Sequence, residues 1–357
     1  MRVLVTGSQG YIGCVLVPLL LEAGHEVTGL DADLYRRCTY GAAPRDIPLI
    51  ERDIRDVTAE DLRGFDAVLH LAALSNDPLG DLKPRLTYEI NYRASLRLGE
   101  LARAAGVSRF LFSSSCSNYG SSGRPGEPLR EGEALNPITP YAVSKVLVER
   151  GLSEMATEDF SPSYLRNATA YGMSPRIRFD LVLNNLVAWA VTTGKVHLKS
   201  DATAWRPLVH VEDIARAFLA VLAAPREEVH DQAFNIGATS ENYTVRQLAE
   251  AALAAVPGSE LEFARGASAD ARNYAVDCGK AERVLGFRAR WTVAAGAREL
   301  VESYRRWGLT LEGFEGDRYQ RLAHIKALLA SGALDPDLRR VRTATPSAVA
   351  PQLGAAS

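Results

Sequence analysis

Tyr141 and Lys145 stand four residues apart in "NPITPYAVSKVLVER", a spacing that sets a phenol and an ammonium on one face of a helix. A phenol with a pKa near ~10 is a poor base at neutral pH. An ammonium beside it favours the phenolate and brings the base into range. Upstream, "RFLFSSSCSNYG" runs from apolar residues into Ser113, Ser114, Ser115, Cys116 and Ser117. A serine there can hold the oxygen of a reacting alcohol, and a thiolate near positive charge can move protons. The stretch reads as the rim of a site that handles protons on hydroxyl groups.

A second group of residues could hold a phosphate. "TGSQGYIG" sets Gly7, Gly10 and Gly13, with Tyr11 and Ile12 among them, at the junction of a strand pattern and a helix pattern. Glycines there allow a turn with positive φ, close approach of backbone to a pyrophosphate, and tight packing of helix on sheet. The spacing differs from the G-x-G-x-x-G of many dinucleotide turns. Asp31 ends the next strand pattern. Its carboxylate suits the ribose hydroxyls of adenosine and repels a 2′-phosphate, which favours NAD over NADP. Asp53 and Ile54 stand where they could flank an adenine, and Asp53 equally suits a helix cap.

The scaffold for these groups is legible in alternating patterns. "RVLVTG", "EVTGLD", "IPLIERDI", "FDAVLHLAAL" and "RFLFSS" read as strands, while "GYIGCVLVPLLLEAG" and "LTYEINYRASLRLGELARAAG" read as helices. Short strands and helices in alternation predict an α/β fold with a Rossmann-type, doubly wound parallel sheet. Thr139 suits the cap, and Pro140 the first turn, of the helix that carries Tyr141. Residues 1–170 are expected to form the NAD-binding domain, with a strand and helix near 206–224 returning to its sheet. Residues 171–205 and 225–340 are expected to form mainly a smaller, mixed α/β substrate-binding domain, followed by a disordered Ala/Pro/Ser-rich tail at 341–357.

Composition narrows the class further. Lys and Arg total 41 against 43 Asp and Glu, a formal net charge of −2, which gives no support to nucleic-acid binding. Cys14, Cys38, Cys116 and Cys278 show no metal-ligand spacing, so no metal is expected and the thiols read as those of a cytoplasmic protein. No apolar run reaches the ~20 residues of a bilayer span, and no signal-peptide pattern opens the chain, so no membrane association is expected.

From Met1 to about Val301 the chain resembles the extended short-chain dehydrogenases/reductases of the NAD-dependent nucleotide-sugar epimerase/dehydratase family. The resemblance is carried by "TGSQGYIG", "HLAALS", "INYRAS", "FSSSCSNYG", "YAVSK", "YGMSPR", "NNL", "RPLVHVEDIA" and "FNIG". It implies that Ser115, four positions before Tyr119, acts with Tyr141 on the reacting hydroxyl while Lys145 binds the nicotinamide ribose and tunes Tyr141. It also implies that Leu71, Ala72 and Ala73 line the cofactor groove, with Asn91 and Ser113 near it. For the substrate it points to Ser115, Cys116, Ser117, Thr169, Asn185, Arg206 and Arg272, and arginine forks suit a diphosphate. The family resemblance further implies a homodimer.

Two departures bear on the reaction. Sugar 4,6-dehydratases carry Asp–Glu directly after the catalytic hydroxyl residue, where this chain has Cys116 and Ser117. The acid and base for eliminating water are thus missing. Thr169 stands where the family usually has an asparagine that contacts the substrate diphosphate. The reading that results is a nucleotide-sugar epimerase, acting at C4 through a transient ketone with resident NAD. Its rivals are a 3,5-type epimerase using Cys116, a net NAD-dependent oxidoreductase, and a non-enzymatic NAD-sensing protein.

Overall fold

β-Branched and leucine-rich runs at Arg2–Thr6 (β1), Glu26–Asp31 (β2), Leu49–Glu51 (β3), Ala67–His70 (β4) and Arg109–Ser115 (β5) form parallel strands. With strands Ser161–Asn167 and Gln232–Ile236 they make a seven-stranded sheet among the described residues. The computed structural model describes residues 1–75, 83–122, 127–268 and 273–341. The expected tail therefore lies almost wholly outside the described residues. From β1 the sheet runs one way through β2 to β3, and the other way through β4 and β5 to Ser161–Asn167 and Gln232–Ile236.

Both faces of the sheet are covered, which is why its strands alternate so little. Val3 and Val5 face α1, Gly13–Glu22, through Leu16, Val17 and Leu20, and the same layer includes Ile214, Phe218 and Val221 of helix Val211–Ala223. Leu4, Val68 and Phe110 face the other way, onto Leu98, Val148 and Leu152 of helices Ala94–Ala104 and Pro140–Glu154. Each such leucine or valine withdrawn from water contributes about 1.5–3 kcal/mol. A further core joins helices Val182–Thr193, Val245–Ala255 and Val293–Arg306.

One expectation is corrected. The strand near residue 206, Trp205–His210, does not return to the main sheet but pairs with Thr169–Tyr171 and Asn242–Thr244. The strand that does return is Gln232–Ile236, parallel to Ser161–Asn167. The helix after Trp205–His210 does pack on the main sheet, so helix and strand part company there. The physical reason is at Ala168, where the chain leaves the seven-stranded sheet after Asn167 and starts a second one at Thr169.

Candidate active site

β1 and β4 are neighbours from which the chain runs in opposite directions, and such a switch point opens a crevice at the carboxyl ends of the strands. A cleft of about 480 Å³ lies there. Gly7, φ +73°, closes its floor: a Cβ on Gly7 would meet the Ala72 backbone nitrogen at 2.8 Å. Gly10, Tyr11, Ile12 and Gly13 line the cleft beside it. α1 begins here with no side-chain cap and no acidic residue in its first turn, so its amide end is presented to the cleft.

Asp31, at the end of β2, lines the same wall. Its carboxylate accepts from the Asp33 amide at 2.7 Å and the Gln9 amide at 2.9 Å. Burial pushes its pKa up to about 6 against those bonds. Asp53 and Ile54 line this end too; Asp53 both caps a short helix, accepting from the Arg55 amide, and pairs with Arg55 at 2.6 Å. Leu71, Ala72 and Ala73 form the opposite wall. Asn91 is buried behind that wall and does not line it; its side chain accepts from the Leu74 amide at 2.7 Å and donates to the Leu74 carbonyl at 3.0 Å. It supports the wall from beneath.

At the other end β5 delivers its serines. Ser113 and Ser115 share one face by strand alternation and line the cleft. The Ser115 hydroxyl accepts from the Ser117 amide at 3.1 Å and lies 2.8 Å from the Ser117 hydroxyl. Thr139 caps the helix Pro140–Glu154 by accepting from Ala142, and that helix brings Tyr141 and Lys145 to the same cleft. Lys145 is 3% exposed, donates to the Ser113 carbonyl at 2.6 Å, and lies 5.7 Å from the Tyr141 ring centroid. Burial pushes its pKa down to about 7, opposed by Glu149. Thr169 and Arg206 also line this end.

The turn after β5 rests on a buried network. Glu149, one helical turn beyond Lys145, pairs with Arg166 at 2.7 Å, bonds the Ser114 hydroxyl, and accepts from Asn118 at 2.9 Å. Cys116 belongs to this side. It is 1% exposed, does not line the cleft, and its thiol donates to the Arg166 carbonyl at 3.0 Å. Burial raises its pKa well above the ordinary thiol range. The expectation that Cys116 meets the substrate is thereby corrected: the residue after Ser115 turns inward, into the apolar cluster with Tyr119 and Cys278. Asn185 is likewise absent from the lining; its amide donates to the Phe179 carbonyl at 2.9 Å. Arg272 lies outside the described residues.

Several lining residues carry no motif. Arg178 pairs with Asp180 at 2.7 Å and donates to Ser75 at 3.3 Å, between the two ends of the cleft. Asn167 holds the Ser113 hydroxyl at 3.1 Å. Asp33 is clamped by Arg36 and Arg176. The segment around Arg178 has no period of its own and turns through loops, so nothing in the sequence signalled it.

The arrangement fits a dinucleotide. A glycine-floored turn and a bare helix start suit a pyrophosphate, and the Asp31 carboxylate beyond them suits an adenosine ribose. The residues that would hold NAD are Gly10–Gly13, Asp31, Ala72, Ala73 and Lys145.

Residues 3–237 match the model of the NAD-dependent epimerase/dehydratase family. The UDP-glucose 4-epimerase of Mycolicibacterium smegmatis is 30% identical over 315 residues, covering 85% of this chain and 99% of its own. Among solved structures, UDP-glucose 4-epimerase from Thermotoga maritima with UDP-glucose is 27% identical, with a TM-score of 0.74 over 86% of this chain and 99% of its own. DesIV, a dTDP-glucose 4,6-dehydratase from Streptomyces venezuelae with NAD bound, is 27% identical, with a TM-score of 0.75 over 90% of this chain and 100% of its own.

Proposed function

The chain belongs to the NAD-dependent epimerase/dehydratase family, and on that premise we propose that it is a nucleotide-sugar epimerase acting at C4 of the sugar. Tyr141 takes the proton from the sugar hydroxyl oxygen, Ser115 holds that oxygen, and Lys145 stabilises the phenolate by its charge. NAD, which Gly10–Gly13, Asp31 and Lys145 would hold, would supply the hydride acceptor and donor through which the configuration at the sugar carbon is reversed. As the ketone is reduced, Tyr141 gives the proton back to the same oxygen. Arg206 and Thr169 are the groups that bind the sugar nucleotide from the second sheet, with Ser117 beside Ser115.

The observation that carries this reading is the inward turn of Cys116. Dehydration and 3,5-epimerisation both need a second proton-transfer group next to the ring carbons, and this turn offers only the hydroxyl of Ser117. The cleft's carboxylates are committed elsewhere: Asp31 to backbone amides, and Asp33, Asp53 and Asp180 to arginines. A C4 epimerase needs no group beyond Tyr141. The reading includes a cytoplasmic homodimer, for which the paired helices Ala94–Ala104 and Pro140–Glu154, with partly exposed Leu96, Leu101 and Met155 on or beside them, offer a surface. No helix among the described residues is long and apolar enough to cross a membrane.

The test is incubation with UDP-glucose in D2O without added cofactor. Conversion to the C4 epimer with no deuterium at ring carbons, retained in Cys116→Ala and lost in Tyr141→Phe, is the expected result. Ring deuterium would move the assignment to carbon-acid chemistry, and stoichiometric NADH to a net oxidoreductase.

A further inference from the structure

Residues 321–340 lie outside the span that matches the family model, yet they build part of the cofactor cleft. Arg321 opens helix Arg321–Ala330 and lines the cleft, with Leu34 and Tyr35 of the stretch after Asp31. It is 5% exposed, and its guanidinium lies 3.8 Å from the Tyr35 ring centroid. Nη2 donates to the Arg176 carbonyl at 3.0 Å, whereas Nη1 is buried with no hydrogen-bond partner among the described residues. No carboxylate forms an ion pair with it there. A buried cation with an unfilled donor is destabilising unless an anion joins it. Arg321 lines the cleft that fits a dinucleotide, so a dinucleotide phosphate is the anion within its reach.

The chain beyond that helix ties itself over the same end. Leu338, 4% exposed and at φ +60°, lines the cleft beside Ile54. Arg340 donates from Nε to the Ala32 carbonyl at 2.9 Å and also bonds the Asp33 carbonyl. Arg55, itself bound to Asp53, donates to the Asp337 carbonyl at 2.9 Å, and Lys83 reaches the Pro336 carbonyl at 2.6 Å. His324 meets the Leu34 carbonyl at 3.2 Å. Most of these anchors fall within a few residues of Asp31 or Asp53, at the adenosine end of the cleft.

We propose that residues 321–340 form a clamp on the adenosine half of NAD, with Arg321 binding a phosphate oxygen and Leu338 capping the adenine side. The clamp deepens the cofactor assignment and does not depend on which sugar reacts. It also explains how one cofactor can stay in place through both half-reactions.

The experiment measures NAD alone, without sugar nucleotide. Wild type, Arg321→Met, Arg321→Lys and Arg340→Met are purified, bound NAD is counted per protomer, and its release is timed during a chase with labelled NAD. Arg321→Met should release NAD about tenfold faster or more, the loss of one charge-assisted hydrogen bond, with partial rescue in Arg321→Lys. Its NAD-free melting temperature should hold or rise, because the unfilled cation is gone; a purely structural arginine would lower it. Arg340→Met, altered on the outer side of the strap, should also speed release while remaining folded. Wild-type release from a folded Arg321→Met, or from Arg340→Met if the first variant does not fold, overturns the clamp. Inactivity toward UDP-sugars with normal NAD retention would instead count against the epimerase reading alone.

Discussion

Lys145 shows how a single buried side chain links stability to chemistry. Its pKa is pushed down to about 7 by burial, with Glu149 the opposing neighbour. Below pH 7 the lysine is charged in both folded and unfolded chains, and the folded state bears the full cost of burying it. Between pH 7 and about 10.4 the folded chain sheds the proton while the unfolded chain keeps it, so stability rises with pH across that window. Melts of NAD-free protein from pH 7 to 9 should show this rise, and Lys145→Met should flatten it; an unchanged slope would assign the proton to another group. Lys145, Tyr141 and Ser115 were readable because their chemistry resides in fixed local spacings. Arg178 was not, because it reaches the cleft from an irregular segment, and Arg321 was not, because nothing local marks that its helix packs over the cleft; only tertiary packing brings it there. Cys116 was readable as a residue but not in direction, since a one-residue shift in the turn decides which face a side chain takes.

At the scale of elements, the turn between β1 and α1 has no room to spare. A Cβ on Gly7 would sit 2.8 Å from the Ala72 nitrogen, and the residue holds φ +73°, a conformation costly for any L side chain. Gly7→Ala should therefore lose about 1–3 kcal/mol of stability from the backbone alone, and should also lose bound NAD, because relief of the contact shifts the wall that flanks the cofactor. Urea melts and NAD content would show both; a variant with normal NAD content would mean the wall can move without consequence. The strands and helices through β5 were legible because burial on both faces leaves continuous apolar runs. Trp205–His210 misled because a short apolar strand carries no mark of which sheet it joins. Its neighbours, Thr169–Tyr171 and Asn242–Thr244, are only three residues long each and give weak patterns.

For the molecule as a whole, the cleft draws on β2, β5, the turns after β1 and β4, the helix of Tyr141, the second sheet and the stretch that ends in Leu338. A ligand that bridges so many parts binds the folded chain and not the unfolded one. NAD at about 1,000 times its Kd should then add about 4 kcal/mol to unfolding, and stripping the cofactor should lower the melting temperature accordingly. A melting temperature indifferent to NAD would mean that these parts are already locked without it. The clamp is the part least visible in the sequence: its anchors are carbonyl groups, which every residue has.

The position of Arg321 and Leu338 in the chain also sets an order of events. Sheet strands and the glycine turn leave the ribosome long before residue 321, and domains begin to fold as they emerge. The adenosine end of the cleft is nevertheless unfinished until residues 321–340 have been made. A nascent chain can meet NAD early, but with such a clamp it holds the cofactor firmly only once residues 321–340 have been synthesised.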